Sequence, residues 1–189
     1  MPDAPLPAIR SVQSLLLHLE AGAALKYLYF WGHTGAGQIG KEVFSQWYPA
    51  PFKVAGDAYA TAEHYMMAEK ARLFQDEAIR QAILAVSHPD QAKRLGRTIQ
   101  DFDEARWNAA RFSIVVEGNV AKFSQHSALR AFLLGTGARV LVEASPVDPV
   151  WGIGLAQDHP QAANPAEWRG LNLLGFALME VRARLDGVR

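Results

Sequence analysis

The segment Glu63-His64-Tyr65-Met66-Met67-Ala68-Glu69-Lys70-Ala71 sets a carboxylate and an amine seven residues apart. On an α-helix, residues seven apart lie only about 20° apart around the axis. Glu63, Met66, Met67, Lys70 and Phe74 therefore share one face, mostly apolar, while Glu69 and Arg72 take the opposite, solvated side. A charge on an inward face is costly unless it is paired or used. Long helical side chains lean toward the N-terminus, so Lys70 is expected to lean back toward Glu63. Two readings follow. Either the pair borders a pocket and does acid–base or electrostatic chemistry, or the charges escape at the rim of the core as an ion-pair network.

A second segment runs Leu141-Val142-Glu143-Ala144-Ser145-Pro146-Val147-Asp148-Pro149-Val150-Trp151-Gly152-Ile153-Gly154. It reads as a strand entering a loop with two carboxylates, a tryptophan and two closely spaced glycines, and loops at strand ends are common sites of function. Gly152 and Gly154 permit close backbone approach to a ligand, and Trp151 offers a face on which a base can stack. A well-packed turn around a core tryptophan is the competing reading. In Trp168-Arg169-Gly170-Leu171-Asn172-Leu173-Leu174-Gly175, Asn172 needs a hydrogen-bond partner if buried, whether a loop or a ligand amide. Arg97, just after Gly96, is a candidate phosphate contact or an ordinary exposed arginine.

Other chemistries are excluded by what is missing. The chain has no cysteine, which removes disulfides, thiolate nucleophiles and cysteine zinc sites. The six histidines show neither H-x-x-x-H nor H-E-x-x-H spacing, so no metal and no metal cofactor is expected. No G-x-S-x-G elbow occurs. Gly35-Ala36-Gly37-Gln38-Ile39-Gly40-Lys41 matches a dinucleotide fingerprint and nearly a P-loop. Both motifs need a full helix to follow, and Pro49 and Pro51 interrupt the chain too soon. Glu42 also stands where a P-loop needs Ser or Thr, so this stretch reads as a surface loop.

These candidates need a scaffold. The 189 residues, half of them hydrophobic, fit one domain with a sizeable core. Lys plus Arg equals Asp plus Glu at 19 each, so there is no basic footprint for nucleic acid, though a local basic pocket for one phosphate is compatible with neutrality. No signal-peptide pattern and no membrane-length apolar run are present, so a cytoplasmic location without membrane association is expected. Residues 1–7 read as a proline-rich leader and Ile9 to Leu19 as a short helix. Strands are expected at Tyr27 to Trp31 and at Val140 to Ala144. Helices are expected from Thr61 to Phe74, Asp76 to Val86, His88 to Gly96, Asp103 to Val120, Ser124 to Leu134 and Trp168 to Leu185. The fold class is mainly α (α+β): a single compact helical domain of about seven helices with two or three short strands. Residues 1–26 form an N-terminal extension, and 27–189 form the domain proper.

Taken together, these segments resemble the NADAR (YbiA-like) family over about residues 27–185. The resemblance is carried by Phe44-Ser45-Gln46-Trp47-Tyr48-Pro49, the E-H-Y-x-x-x-x-K helix from Glu63 to Lys70, and Leu95-Gly96-Arg97. It continues through Trp107, Lys122-Phe123, Leu141-Val142-Glu143, Asp148, Trp151-Gly152-x-Gly154 and Gly170-x-Asn172-x-Leu174-Gly175. One departure is specific: Gln46 stands where the family usually has Asn. The resemblance implies cleavage of N-glycosidic bonds. Family members act on phosphoribosylamino intermediates of riboflavin synthesis, and others remove ADP-ribose from modified guanine bases.

Breaking a ribose–nitrogen bond builds oxocarbenium-like positive charge on the sugar, which a carboxylate stabilises while activating water. Glu63 is the first candidate for that carboxylate and Asp148 the second. Lys70 would protonate the departing nitrogen or, with a lowered pKa, exchange into a ring-opened imine. Trp47 or Trp151 would stack on the base, with Arg97 on a phosphate and Gly152, Gly154 and Asn172 completing the binding set. The substrate expected is small and nucleotide-like, with ADP-ribosylated guanine in nucleic acid included. No cofactor and no protein partner are implied. The alternative is a non-catalytic module that binds ADP-ribose or a related nucleotide in the same pocket.

Overall fold

A computed structural model describes residues 8–35 and 37–187; the proline-rich leader, residues 1–7, lies outside them. Among the described residues seven α-helices dominate: α1 (Val12–Glu20), α2 (Ala62–Leu73), α3 (Glu77–Ala85), α4 (Pro89–Leu95), α5 (Glu104–Gln125), α6 (Ser127–Leu134) and α7 (Leu173–Asp186). Four short strands accompany them: β1 (Tyr27–Phe30), β2 (Phe52–Val54), β3 (Asp57–Tyr59) and β4 (Val140–Glu143). The mainly helical class is the expected one. The β2–β3 hairpin is the addition: its turn is Ala55-Gly56, both at positive φ, inside a stretch whose prolines and aromatics carry little strand periodicity.

The pair β1–β4 is parallel, with Tyr27 opposite Val140 and Phe30 opposite Glu143. Strand alternation sorts its side chains onto two faces. Leu28, Phe30 and Leu141 enter the main core with α2, α5 and α7. Val140 and Val142 enter a second cluster with Leu15 of α1, Ile153 and Phe176. The helix of the N-terminal extension thus covers the far face of the pair. Its flank is tied to α7 by an Arg10–Glu180 ion pair at 2.6 Å. By the same alternation Glu143 leaves β4 on the face of Leu141.

Helix starts follow their caps. Thr61 accepts from the His64 N–H, Asp76 from Ile79 and Asp103 from Arg106. The expected helix from Trp168 is shorter, beginning at Leu173, because Asn172 sits at φ 51° in the left-handed region and ends any earlier helical path. Helix α2 is also more buried than an amphipathic helix: Ala62 to Ala68 are all buried, because α3, α4, α5 and the hairpin pack around it. Its solvated side shrinks to Arg72, with Glu69 half-buried beside it at 3.4 Å. No helix among the described residues is long and apolar enough to cross a membrane.

Candidate active site

One face of α2, the segment 45–47, the end of α4, the first turns of α5 and the loop after β4 surround one cavity of about 570 Å³. Each wall is held by identifiable bonds. The Glu63 N–H donates to the Gln46 carbonyl at 2.9 Å, joining the segment that carries Trp47 to the first turn of α2. Segment 43–45 is anchored from behind by Lys122 of α5, fully buried, whose Nζ donates to Val43 O at 2.7 Å and Ser45 O at 3.0 Å. The loop after β4 turns on Asp148, whose Oδ1 accepts from the Val150 and Trp151 N–H groups at 2.9 and 2.8 Å.

Three carboxylates meet here: Glu63, Glu143 and Asp148. Glu63 is buried, and its Oε1 has no hydrogen-bond partner. Burial pushes its pKa up to about 7; the Lys93 ammonium, the Trp47 indole and Arg97 act the other way, while Asp148 adds to the rise. Glu143 is raised to about 8, first by burial and then by the charges of Asp148 and Glu63, and its Oε2 is likewise unpartnered. Such shifts follow when a carboxylate loses water and gains no full counter-charge. Both carboxyls are thereby held toward their protonated forms, Glu143 further than Glu63.

Lys70 lines the same cavity but does not lean onto Glu63, as its spacing suggests. Its Nζ donates to the Gly96 carbonyl at 2.8 Å and lies 4.4 Å from the Phe102 ring centroid and 5.6 Å from that of Trp107. A carbonyl and two aromatic faces compete successfully with a carboxylate two turns away. Burial, and then the Arg97 charge, lower its pKa. The aromatic walls are Trp31, Trp47, Trp107 and Trp151. Lys93, Arg97 and Arg111 form a basic edge, and none of the three makes an ion pair among the described residues.

Glu63, Lys70, Asp148, Trp47, Arg97 and Trp151 are thus brought together as the sequence suggested. Gly152, Gly154 and Asn172 are not among the cavity-lining residues. A Cβ on Gly152 would meet the Glu143 carbonyl at 2.8 Å, so this glycine makes room for protein backbone. Gly154 serves a positive φ of 68° against Arg169. Asn172 bridges to β4: its Oδ1 accepts from the Glu143 N–H and its Nδ2 donates to Leu141 O, both at 2.9 Å. It fixes the strand end that carries Glu143 and does not face the ligand space.

Several lining residues, Lys93, Trp107, Arg111 and Glu143, were given no site role from the sequence. Lys93 precedes Arg97 by one helical turn, and Trp107 precedes Arg111 by one turn, so i,i+4 spacing was the available signal. Glu143 was signalled by alternation from Leu141. The glycine-rich loop does not build a phosphate cradle: only the 3₁₀ turn Lys41–Phe44 follows it, and Glu42 Oε1 itself accepts the Gly40 N–H at 2.9 Å. Among the described residues, no group of three or more His, Asp or Glu is arranged to hold a metal ion.

The NADAR domain model matches residues 29–186. The chain belongs to the NADAR family. N-glycosidase R617 of Acanthamoeba polyphaga mimivirus is 44% identical over 164 residues, covering 83% of this chain and 95% of that protein. N-glycosidase YbiA of Escherichia coli K12 is 37% identical over 142 residues, or 75% of this chain and 80% of the relative. The NMR structure of E. coli YbiA shares the fold at a TM-score of 0.68 and 32% identity, covering 86% of each chain. With relatives named N-glycosidases, this NADAR protein is a hydrolase acting on N-glycosyl bonds.

Proposed function

We propose that the cavity hydrolyses a ribose–nitrogen bond in a small phosphorylated, nucleotide-like substrate, either a phosphoribosylamino-pyrimidine or ADP-ribosylated guanine, free or in nucleic acid. The observation that carries this reading is the pairing of two buried, pKa-raised carboxylates, each with one unpartnered oxygen, with an edge of cations that make no ion pair among the described residues, in one tryptophan-walled cavity. Recognition of an anionic ligand alone gains nothing from buried carboxylates, which repel it. An oxocarbenium ion forming above them gains a great deal.

The ionised Glu63 stabilises the positive ribose carbon and takes a proton from the attacking water. Asp148 adds negative potential beside it. The departing nitrogen takes its proton from the acidic groups that line the space, Glu143 in its protonated form and the Lys70 ammonium. If the glycosylamine ring-opens, neutral Lys70 can add to the imine carbon and expel the amine, leaving a sugar–lysine imine that water hydrolyses. Trp47 and Trp151 stack on the leaving ring, and Arg97 with Lys93 and Arg111 binds phosphate. Phosphorylated metabolites of this kind are made and consumed in the cytoplasm, where we place the reaction.

The test is to incubate purified protein with each of the two substrate types, with and without EDTA, and to follow the free base and the ribose phosphate by mass spectrometry. Release of base that is indifferent to the chelator is expected. Tight binding of both ligands without release favours the nucleotide-binding module, and activity that EDTA abolishes and zinc or magnesium restores contradicts the metal-free chemistry.

A further inference from the structure

Gln46 lines the cavity yet is 7% exposed, and its Nε2 has no hydrogen-bond partner. Buried amide N–H groups are nearly always paired, so an orphan donor on a cavity wall calls for an acceptor from outside the protein. The polarity of the amide is fixed by its neighbours. Asn119 of α5 donates one Nδ2 hydrogen to the Val115 carbonyl at 2.8 Å. A backbone carbonyl only accepts, so the Asn119 amide cannot be turned around without setting oxygen against oxygen. The other Nδ2 hydrogen then goes to Gln46 Oε1, also at 2.8 Å. Gln46 Oε1 is thereby the bonded acceptor, and Nε2 is left as the free donor. Asn119 itself is fully buried and lies outside the cavity lining.

The backbone places this donor beside the chemistry. The Gln46 carbonyl accepts the Glu63 N–H at 2.9 Å, and Trp47 follows in the chain. Gln46 and Trp47 both line the cavity, so a ring stacked on Trp47 lies next to Gln46. We infer that Gln46 is a specificity-determining residue that donates through Nε2 to a carbonyl oxygen on the ring of the leaving base, with Asn119 as the residue that sets its polarity. This rests on the N-glycosidase reading of the cavity. Its particular content is that an oxo group, not an amino group or a hydrogen, is selected at that edge. Where the NADAR pattern usually carries the shorter Asn, Gln46 carries the donor one methylene further into the space.

The experiment compares kcat/KM for a phosphoribosylamino-pyrimidine bearing the ring carbonyl with that for its analogue in which hydrogen replaces that oxygen. Wild type is expected to prefer the oxo substrate by about 10–10²-fold, the usual cost of leaving a buried polar group unpaired. Gln46→Met removes the amide and its donor and is expected to abolish the preference; Gln46→Leu repeats the test should Gln46→Met melt early. A preference unchanged in either folded variant overturns the inference, as does an equal loss on both substrates, which a merely structural role gives. Failure of the N-glycosidase reading looks different: wild type then releases base from neither substrate, and the same oxo-against-hydrogen ratio is read from the binding constants of the two ligands.

Discussion

At the scale of single residues, two carboxylates displaced toward neutrality carry the chemistry. Glu63 rises to about 7 and Glu143 to about 8, each driven first by burial. With one acting ionised and the other protonated, kcat/KM should peak between roughly pH 7 and 8 and fall on both sides. Glu143→Gln, which cannot titrate, is expected to flatten the alkaline limb while leaving the acid limb in place; an alkaline limb that persists assigns it to Lys70. The same shifts bear on stability. Between the ordinary carboxylate range and the raised values the folded chain holds protons that the unfolded chain has released, so stability falls as pH rises across that window. A thermal-melt series from pH 5 to 8 should show the melting temperature of the wild type dropping more than that of the Glu63→Gln, Glu143→Gln double variant. Parallel curves would mean that neither group is displaced.

At the scale of elements, the cavity depends on two anchors that never touch its space. Lys122 holds the carbonyls of Val43 and Ser45, and Lys122→Met would leave both unpaired, a loss of roughly 1–3 kcal/mol for a buried polar group. The freed segment carries Gln46 and Trp47, so KM should rise along with the loss in melting temperature. At the other wall, a Cβ on Gly175 would strike the Leu141 carbonyl and the Asn172 amide. Gly175→Ala is expected to cost about 1–3 kcal/mol by overpacking, read in urea unfolding. These anchors mark the limit of what the sequence made legible. Periodicity and caps located α2, α3 and α4 to within a residue or two, because Thr61, Asp76 and Gly96 act locally. The spacing of Glu63 and Lys70 gave the shared cavity. It could not give the partner of Lys70, because Gly96 lies 26 residues away and only the packing of α4 on α2 brings its carbonyl there. Asn172 looked like a ligand contact for the same reason: its bonds to Leu141 and Glu143 cross about 30 residues of chain. The β2–β3 hairpin lacked a periodic signal altogether.

At the scale of the whole molecule, a chain with no net charge gathers Lys93, Arg97 and Arg111, which make no ion pair among the described residues, at one edge of a cavity that has carboxylates among its walls. The two charge signs divide the labour between holding a phosphate and stabilising a positive sugar. Arg97→Ala and Arg111→Ala should each raise KM by about tenfold with kcat little changed, since phosphate is bound equally in ground and transition states. If Glu63 does chemistry and does not merely bind, the single-turnover rate of base release separates wild type from Glu63→Gln, with the Kd of the same substrate measured in parallel. A rate lower by about 10²–10³ in the variant with Kd nearly unchanged is expected; release at the wild-type rate by Glu63→Gln would overturn the assignment and make Asp148 the leading carboxylate.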